Sequence, residues 1–395
     1  MTRMLRLGVL TLAVLSLAAC RTDDEVVPST PETPGGTVTS TSVVGMYVLN
    51  EGNKGSNKCT LDYLDLSGKT PLYERNIFAE RNPNEVKELG DVGNDIKVCG
   101  SRLWMVINCS NKVEVATADG CRKIGKVDIP NCRYLAFKDR YAYISSYVGP
   151  VKIDKDAPLG CVYKVDTASL KIEARVTVGY QPEEMAVVDG KLYVANSGGY
   201  RVPDYDRTVS VVDLATFTEE RKIDVGINLH RCRADRYGQL WVTSRGDYYG
   251  TPSNIYWLAK DKDGEMQVAG TLDKAVSDLC IVGDSLYYYA TEWSYAEGKN
   301  TVTYGIVNVK THQVVSERLS SSPEIDGIEV PYGIIVNPID RDFYLMDAKN
   351  YVSSGSLLHF LPDGTFDWKV NTGDIPGHAA FVFKTDTGTA GGKNE

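Results

Sequence analysis

The sequence is poor in the residues and motifs that usually identify catalysis or nucleic-acid binding. It has 4 histidines in 395 residues, and none of its 9 cysteines belongs to a Cys-x-x-Cys pair. No histidine metal triad and no zinc or redox motif is therefore indicated. It also has no G-x-S-x-G elbow and no P-loop. A net charge of -9 argues against nucleic acid as a partner, because nucleic acid selects basic surfaces.

Helical signals are missing as well, and phenylalanine is scarce. No stretch of twelve residues shows convincing helical periodicity. The chain has 24 Tyr but only 8 Phe, so most of its aromatic rings have a polar tip. Such rings suit wet contact surfaces as well as strands.

The one long apolar run lies at the N-terminus and is too short to span a membrane. A basic "MTRMLR" precedes "LGVLTLAVLSLAA", which is typical of a secretory signal. The segment ends in "LAAC", which resembles the lipobox of bacterial lipoproteins. We therefore expect a signal peptide over 1–19 and lipidation of Cys20; the alternative is an ordinary cleaved signal peptide with an unrelated cysteine.

A polar segment, 20–42, follows the predicted signal. "RTDDEVV" resembles the surface-export signal of Bacteroidetes lipoproteins, although it could also be a merely polar tether. "PSTPETPGGTVTSTS" predicts a flexible linker, and 385–395 is predicted to be a disordered tail. The eight remaining cysteines could form disulfides in an exported chain or lie buried as free thiols.

A strand pattern recurs seven times over 43–384 and predicts the fold. Each copy is a period-2 apolar strand with a central aromatic, and the copies are 39 to 57 residues apart. The aromatics are Tyr47, Trp104, Tyr143, Tyr193, Trp241, Tyr287 and Tyr344. Three more strands accompany each copy, which predicts an all-β, seven-bladed propeller of four-stranded antiparallel blades. The C-terminal "GHAAFVF" is expected to pair with the first blade and close the ring.

One face of such a propeller collects the loops that follow each second strand and the loops that enter each first strand. These loops are long and rich in Tyr, Arg and Asn, whereas the opposite face has short turns. Because binding residues concentrate in loops on a rigid scaffold, this face is the predicted ligand site. The candidate ligand-binding residues are Asn53, Asn108, Arg133, Tyr147, Tyr200, Arg201, Tyr205, His230, Arg231, Arg245, Tyr248, Tyr249, Trp293, Tyr295 and Tyr351.

Signals for catalysis are weak, so no catalytic residue, metal ligand or required cofactor is predicted. Glu183 and Glu184 are adjacent, and on an extended strand they would point to opposite sides. Asp65, Asp166 and Asp213 recur at one blade position, where a turn-bonding role is favoured over catalysis. The four histidines do not cluster in the sequence; His230, on the predicted loop face, is the one that could contact a ligand.

Several long motifs resemble the YncE-like β-propeller lipoproteins of Bacteroidetes, and most closely the BtuG type, which captures cobalamin at the cell surface. They include "VLNEGNKGSN", "VGYQPEEMAVV", "YVANSGGYRVPDYDRTVSV", "INLHRCRADRYG" and "SRGDYYGTPS". The resemblance implies a lipid-anchored protein on the outer membrane, facing the exterior. It would bind cobalamin or a related corrinoid and pass it to a TonB-dependent outer-membrane transporter. The alternatives are capture of haem or a ferric siderophore, or a propeller hydrolase or lactonase.

Overall fold

The computed structural model describes residues 37–294 and 299–389. Within these residues the chain contains twenty-eight β-strands, one short α-helix and one 3-10 helix. None of the helices in this part of the chain is long and apolar enough to cross a membrane. Signal peptide and Cys20, predicted at the N-terminus, lie outside the described residues.

The strands fall into seven blades, numbered along the chain. Blade 1 contains β1 (Thr37–Asn50), β2 (Thr60–Asp65) and β3 (Leu72–Glu74), and helix α1 (Ile77–Arg81) follows it. Blade 2 contains β4 (Gly93–Cys99), β5 (Arg102–Ile107), β6 (Lys112–Thr117) and β7 (Lys123–Asp128). Blade 3 contains β8 (Cys132–Lys138), β9 (Tyr141–Ser146), β10 (Cys161–Asp166) and β11 (Ile172–Thr177). Blade 4 contains β12 (Pro182–Val188), β13 (Lys191–Asn196), β14 (Thr208–Asp213) and β15 (Thr218–Asp224).

The second half of the chain repeats the arrangement. Blade 5 contains β16 (Leu229–Ala234), β17 (Leu240–Ser244), β18 (Asn254–Lys260) and β19 (Met266–Thr271). Blade 6 contains β20 (Asp278–Val282), β21 (Ser285–Ser294), β22 (Lys299–Asn308) and β23 (Gln313–Ser316), followed by the 3-10 helix Pro323–Ile325. Blade 7 contains β24 (Pro331–Val336), β25 (Phe343–Asp347), β26 (Ser354–Phe360) and β27 (Phe366–Asp374), and β28 (Pro376–Thr389) ends the described chain.

The predicted seven-bladed propeller and its closure are confirmed. Each blade is a four-stranded antiparallel sheet, and the sheet of blade 1 has the order β28-β1-β2-β3. The last strand of the chain therefore supplies the first strand of the first blade, which removes an exposed edge.

The compact propeller unit is Thr41–Lys384, close to the predicted 43–384. Outside it, 37–40 and 385–389 are strand residues, although the sequence analysis assigned them to the linker and the tail. Both segments are rich in threonine, whose β-branched side chain favours strands.

The apolar cores of the propeller lie between neighbouring blades. Successive side chains of a strand point to opposite faces, and β5 shows what this achieves. Leu103 and Met105 pack in a core shared with blade 1, whereas Trp104 and Val106 pack in a core shared with blade 3. Because both faces are buried, the strand reads as a continuous apolar run.

Seven such cores form a closed ring. They join blades 1 and 2, 2 and 3, 3 and 4, 4 and 5, 5 and 6, and 6 and 7 in turn. The seventh core joins blade 7 to blade 1 through Tyr344, Met46 and Phe381. Six of the seven predicted aromatic positions are buried, and Tyr287 is half-buried.

The recurrent aspartates have the structural role that the sequence favoured. Asp166 Oδ1 accepts hydrogen bonds from the backbone N–H of Ser169 and from its hydroxyl at 2.8 and 2.9 Å. Asp213 Oδ1 makes the same pair of bonds with Thr216, and Asp65 bonds Ser67. These bonds, together with Arg140, lower the pKa of Asp166 to about 2. Each aspartate closes the turn between the third and fourth strands of its blade.

The eight cysteines of the described chain are free thiols. Cys59, Cys121, Cys132, Cys161 and Cys232 are buried, and the other three are partly buried. Burial raises the pKa of Cys132 to about 12, so this thiol stays protonated. The buried cysteines therefore act as small apolar side chains.

Replacing a buried second-strand tyrosine should strongly destabilise the propeller. Tyr47 is fully buried, and its hydroxyl donates to the Ala118 carbonyl at 2.9 Å. We expect Tyr47→Ala to lower the free energy of unfolding by about 3–5 kcal/mol, as for other buried aromatics. The matched control is Tyr249→Ala, because this tyrosine is 89% exposed; it should change stability by less than about 0.5 kcal/mol. Urea denaturation measures both, and equal losses would contradict the burial argument.

Candidate ligand site on the loop face

The first strands of the blades line the central channel, and β-bulges shape the end where they begin. Pairing slips between Cys132 and Leu135 in β8, between Pro182 and Met185 in β12, and between Leu229 and Cys232 in β16. A bulge places two residues opposite one and re-aims side chains. Each of the three bulges brings two residues that are adjacent in the sequence to the channel. The pairs are Arg133 and Tyr134, Glu183 and Glu184, and His230 and Arg231.

Glu183 and Glu184 therefore do not follow the alternation that was expected of an extended strand. Glu183 bonds Arg133 and Arg245, whereas Glu184 bonds Arg233 at 3.0 Å and the backbone N–H of Cys232 at 3.1 Å. Both carboxylates face charged groups of the channel, because the bulge breaks the period of two. This geometry still does not place them on either side of a common substrate bond.

A cavity of about 510 Å³ opens on the loop face, the end of the channel that carries the long loops; we call it the upper cavity. Every blade contributes to its wall, which combines aromatic rings with polar side chains. Residues 295–298, in a loop of blade 6, lie outside the described chain. The six tyrosines of the wall are Tyr134, Tyr200, Tyr248, Tyr289, Tyr332 and Tyr351. Three arginines, two histidines and three asparagines line the same space.

Glu183 anchors the floor of the upper cavity. Its Oε2 accepts hydrogen bonds from Arg133 Nε and Nη2 at 3.2 and 3.0 Å. Its Oε1 accepts from Arg245 Nη1 at 3.2 Å and from the Tyr147 hydroxyl at 2.5 Å. Burial raises the pKa of Glu183, but Arg133 and Arg245 outweigh burial and hold it below its ordinary value. The group is a carboxylate shared by two guanidinium ions.

Tyr134 lies at the centre of the floor. Its hydroxyl is 2.9 Å from His230 Nε2 and accepts a hydrogen bond from Arg231 Nη1 at 3.2 Å. Burial raises the pKa of Tyr134 to about 12, so the phenol is neutral and donates to the imidazole. Burial also lowers the pKa of His230 well below its ordinary value, and the charges of Arg245 and Arg231 add to this effect.

A second set of charges lies below Tyr134. Arg231 Nε and Arg233 Nη2 both lie 3.0 Å from Asp278 Oδ1, and Arg233 also bonds Glu184. Together with the Glu183 group they form a layer that we call the charged waist: Arg133, Glu183, Glu184, Arg231, Arg233, Arg245 and Asp278. The waist separates the upper cavity from a lower cavity of about 500 Å³, whose wall is mostly apolar.

His378, on the last strand, lines both cavities. Its Nε2 lies 3.3 Å from Glu51 Oε1, and Glu51 Oε2 accepts a hydrogen bond from the Tyr332 hydroxyl at 3.1 Å. The rings of His378 and His230 both lie close to Tyr134, with centroids 6.5 and 6.1 Å from it. The fold therefore brings together two histidines that are far apart in the sequence. Among the described residues, no group of three or more potential metal ligands occurs.

The rim of the upper cavity is held by bonds between loops of different blades. Asn53 Nδ2 donates to the Tyr351 carbonyl at 2.7 Å, which joins blades 1 and 7. Lys54 Nζ donates to the Val151 carbonyl at 3.0 Å, across the short loop of blade 2. The Asp154 N–H donates to the Tyr200 carbonyl at 2.8 Å, which joins blades 3 and 4. These contacts hold the loops in one arrangement and preorganise the wall.

Two glycines allow the chain to turn as it leaves the second strand. Gly198 and Gly246 have φ of 55° and 65°, a conformation that most residues avoid. A Cβ at Gly198 would lie 2.1 Å from the Asp206 nitrogen, and one at Gly246 would lie 2.1 Å from the Thr251 oxygen. Arg245, before the second of these turns, lines the upper cavity, whereas the hydroxyl of Ser197, before the first, donates to the Gln181 carbonyl at 2.9 Å.

Nine of the fifteen predicted ligand-binding residues line the upper cavity: Asn53, Asn108, Arg133, Tyr200, His230, Arg231, Arg245, Tyr248 and Tyr351. Tyr147 lies beneath it, bonded to Glu183. Arg201 is 3.7 Å over the Tyr180 ring and bonds the Lys155 carbonyl, so it braces two loops. Tyr205 and Tyr249 lie outside the wall. Tyr295 and the side chain of Trp293 lie outside the described residues.

Several residues of the wall were not among the predicted ones, although a positional signal for them exists in the sequence. The fourth residue after each aromatic anchor is Glu51, Asn108, Tyr147, Ser197, Arg245, Thr291 or Ala348, and four of these line the cavity. This rule would have found Glu51 and Thr291. Tyr289 and His378 lie in strands away from the connecting loops, so a search of the loops could not identify them. Tyr134 and Tyr332 lie near the start of first strands, as Arg133 does, and were overlooked.

Removing the charge of Glu183 should destabilise the channel. Glu183→Gln would leave Arg133 and Arg245 without a shared anion, and we expect a loss of about 3–5 kcal/mol in the free energy of unfolding. The control is Glu265→Gln, because Glu265 pairs with Arg221 at 2.9 Å with its side chain 66% exposed; its loss should be below about 1 kcal/mol. Similar losses in urea denaturation would show that the Glu183 cluster is not a stabilising element.

His230 should make the protein less stable in mild acid. Its folded pKa is lowered, so below about pH 6.5 the unfolded chain binds a proton that the folded chain resists. Stability therefore falls as the pH drops through that value. In His230→Asn this contribution is absent, and the loss of Tm between pH 7.5 and 5 should be smaller. An unchanged pH dependence of Tm in the variant would refute the assignment.

No protein-family model matches the chain, and no curated protein matches it. Similar solved structures include a functionally unknown protein from Desulfotomaculum acetoxidans, with a TM-score of 0.59, 10% identity and coverage of 86% of this chain and 99% of that one. The periplasmic gluconolactonase of Pseudomonas aeruginosa has a TM-score of 0.56 at 14% identity, covering 87% and 99%. Kuenenia stuttgartiensis hydrazine synthase also has a TM-score of 0.56 at 14% identity, and the match covers 73% of this chain and 89% of that one. At these identities the likeness shows a shared propeller fold alone.

Proposed function

We propose that the upper cavity captures a corrinoid such as cobalamin and that it does so without covalent chemistry. The observation that carries this proposal is the composition of the cavity wall. Six tyrosine rings, together with arginine, asparagine and histidine side chains, line a space of about 510 Å³. A site of this kind favours a large ligand that has both apolar faces and many hydrogen-bonding groups.

The chemistry of a corrinoid matches that wall. The corrin ring is broad and apolar on its faces, and amide side chains project from its edge. Tyrosine rings offer rigid contact area at a small cost in conformational entropy. Amides need both donors and acceptors, which Asn53, Asn108 and the tyrosine hydroxyls supply.

The ligand would extend beyond the cavity. A corrinoid is larger than the enclosed space, so part of it would project from the mouth. Tyr248 and Tyr351 lie at that mouth and are 62% and 41% exposed. They are therefore the residues that would contact the projecting part and control access to the floor.

We also propose that the protein is anchored through Cys20 on the outside of the outer membrane and delivers its ligand to a TonB-dependent transporter. The "LAAC" segment and the following acidic run support the anchor, and the resemblance to BtuG-type propellers supports the transporter. Capture of haem or a ferric siderophore would use the same wall.

The lactonase alternative has less support. The sequence identity to the gluconolactonase is only 14%, so the similarity supports a shared fold and not a shared activity. The buried carboxylates of the charged waist, Glu183, Asp278 and Glu184, are each paired with arginine.

Cobalamin binding and its dependence on the mouth tyrosines test the proposal. We expect the full chain to bind cyanocobalamin at micromolar concentration or tighter, measured by calorimetry. Tyr248→Ala and Tyr351→Ala should each weaken binding by about tenfold, or about 1.4 kcal/mol. The matched control is Tyr237→Ala on the opposite face, with Tyr237 45% exposed, and it should bind normally.

Two results would overturn the proposal. The corrinoid assignment fails if cyanocobalamin does not bind at micromolar concentration, and unchanged affinity in both mouth variants would refute the choice of face. Turnover of a lactone panel that is abolished by metal chelation would instead establish the enzyme.

A further inference from the structure

The charged waist carries more positive than negative charge. Its cations are Arg133, Arg231, Arg233 and Arg245, and its anions are Glu183, Glu184 and Asp278. The wall of the upper cavity adds one lysine, Lys54, and one glutamate, Glu51. The waist itself therefore has one more positive than negative charge, in a protein whose net charge is -9.

The excess charge lies at the floor of the upper cavity. Arg231 is fixed between Tyr134 and Asp278 with its side chain only 6% exposed, and Arg233 bonds two carboxylates in the lower cavity wall. Arg133 and Arg245 instead share the single carboxylate of Glu183, and their side chains are 15% and 31% exposed. The pair Arg133–Arg245 therefore presents the surplus charge to the cavity.

Both arginines also keep free donors. Arg133 uses Nε and Nη2 for Glu183, and Arg245 uses Nη1. Arg133 Nη1 and Arg245 Nε and Nη2 make no hydrogen bond with any described residue. These donors face the cavity, and a guanidinium group can bind a carboxylate or a phosphate through two parallel hydrogen bonds.

The surroundings keep these donors in place. Glu183 is held from below by the Tyr147 hydroxyl, and the Ser145 hydroxyl donates to its backbone carbonyl at 2.9 Å. The Arg133 guanidinium lies 4.8 Å over the Tyr147 ring, a distance at which cation and ring attract. Tyr200 packs against the edge of Tyr147 with ring centroids 6.1 Å apart and lines the cavity above.

We propose that Arg133 and Arg245 form an oxyanion site at the floor of the upper cavity, which binds a phosphate or carboxylate group. The oxyanion could be free, or it could be one group of a larger ligand. In the second case the inference rests on the proposed function, and the group would be the phosphodiester that joins the nucleotide of cobalamin to its corrin ring.

Inorganic phosphate is the first probe, titrated into the full chain in chloride buffer by calorimetry. We expect one saturable site whose affinity falls as sodium chloride is raised, because salt screens the charge. Arg245→Gln should weaken binding at least about tenfold. Arg245→Lys keeps the charge but loses the planar, two-donor geometry of guanidinium, so its affinity should lie between those of the natural chain and Arg245→Gln. It also serves as a second variant in case Arg245→Gln does not fold. Arg221→Gln, which removes a surface cation paired with Glu265, is the control and should bind as the natural chain does.

A pair of corrinoids then separates the two sources of the oxyanion. Dicyanocobinamide lacks the phosphodiester and nucleotide, so it should bind at least about tenfold more weakly than cyanocobalamin, and Arg245→Gln should abolish the difference. Phosphate binding with no corrinoid binding would support the oxyanion site and overturn the proposed function. No phosphate binding, together with equal affinity for both corrinoids, would overturn the oxyanion site and leave the proposed function standing.

Discussion

The packing of each blade between two neighbours is the interaction on which the rest of this structure depends. The described chain has no single central core; most of its buried apolar side chains fill seven cores between adjacent blades, and a small eighth cluster contains Val330, Ala348 and Ile375. Each second strand contributes to two of these cores, which is why its sequence is apolar at consecutive positions. The centre of the ring is thereby left free for polar side chains, and the cavities and charged groups occupy it.

The channel uses its charges to build a fixed floor. Burying an arginine or a glutamate alone would be costly, so the waist groups occur as interleaved partners. The β-bulges make this possible, because they bring consecutive residues such as His230 and Arg231 into the channel together. The result is a rigid base beneath a wall of tyrosines that loop-to-loop bonds hold in place.

The sequence predicted the architecture well because the blade signal is repeated and local. The aromatic anchors, the turn aspartates and the unpaired C-terminal strand can all be recognised from the period of two along a strand and from the number of strands in each repeat. The site was predicted only in part. Loop residues such as Tyr248 and Arg245 could be found, but Tyr289 and His378 reach the cavity from strands away from the connecting loops. Bulges are invisible to an argument from alternation, so the pairing of Glu183 with Arg133 and Arg245 could not be anticipated.

Pairing of β28 with β1 determines when, during synthesis, the propeller can complete its fold. Blade 1 lacks its channel strand until the last residues of the chain are available, so neither the core between blades 7 and 1 nor the ring itself can form earlier. The contact between Glu51 and His378 joins the first blade to that last strand. Domains generally fold from the N-terminus during synthesis, but this chain can complete its cavity only after its final strand has been released.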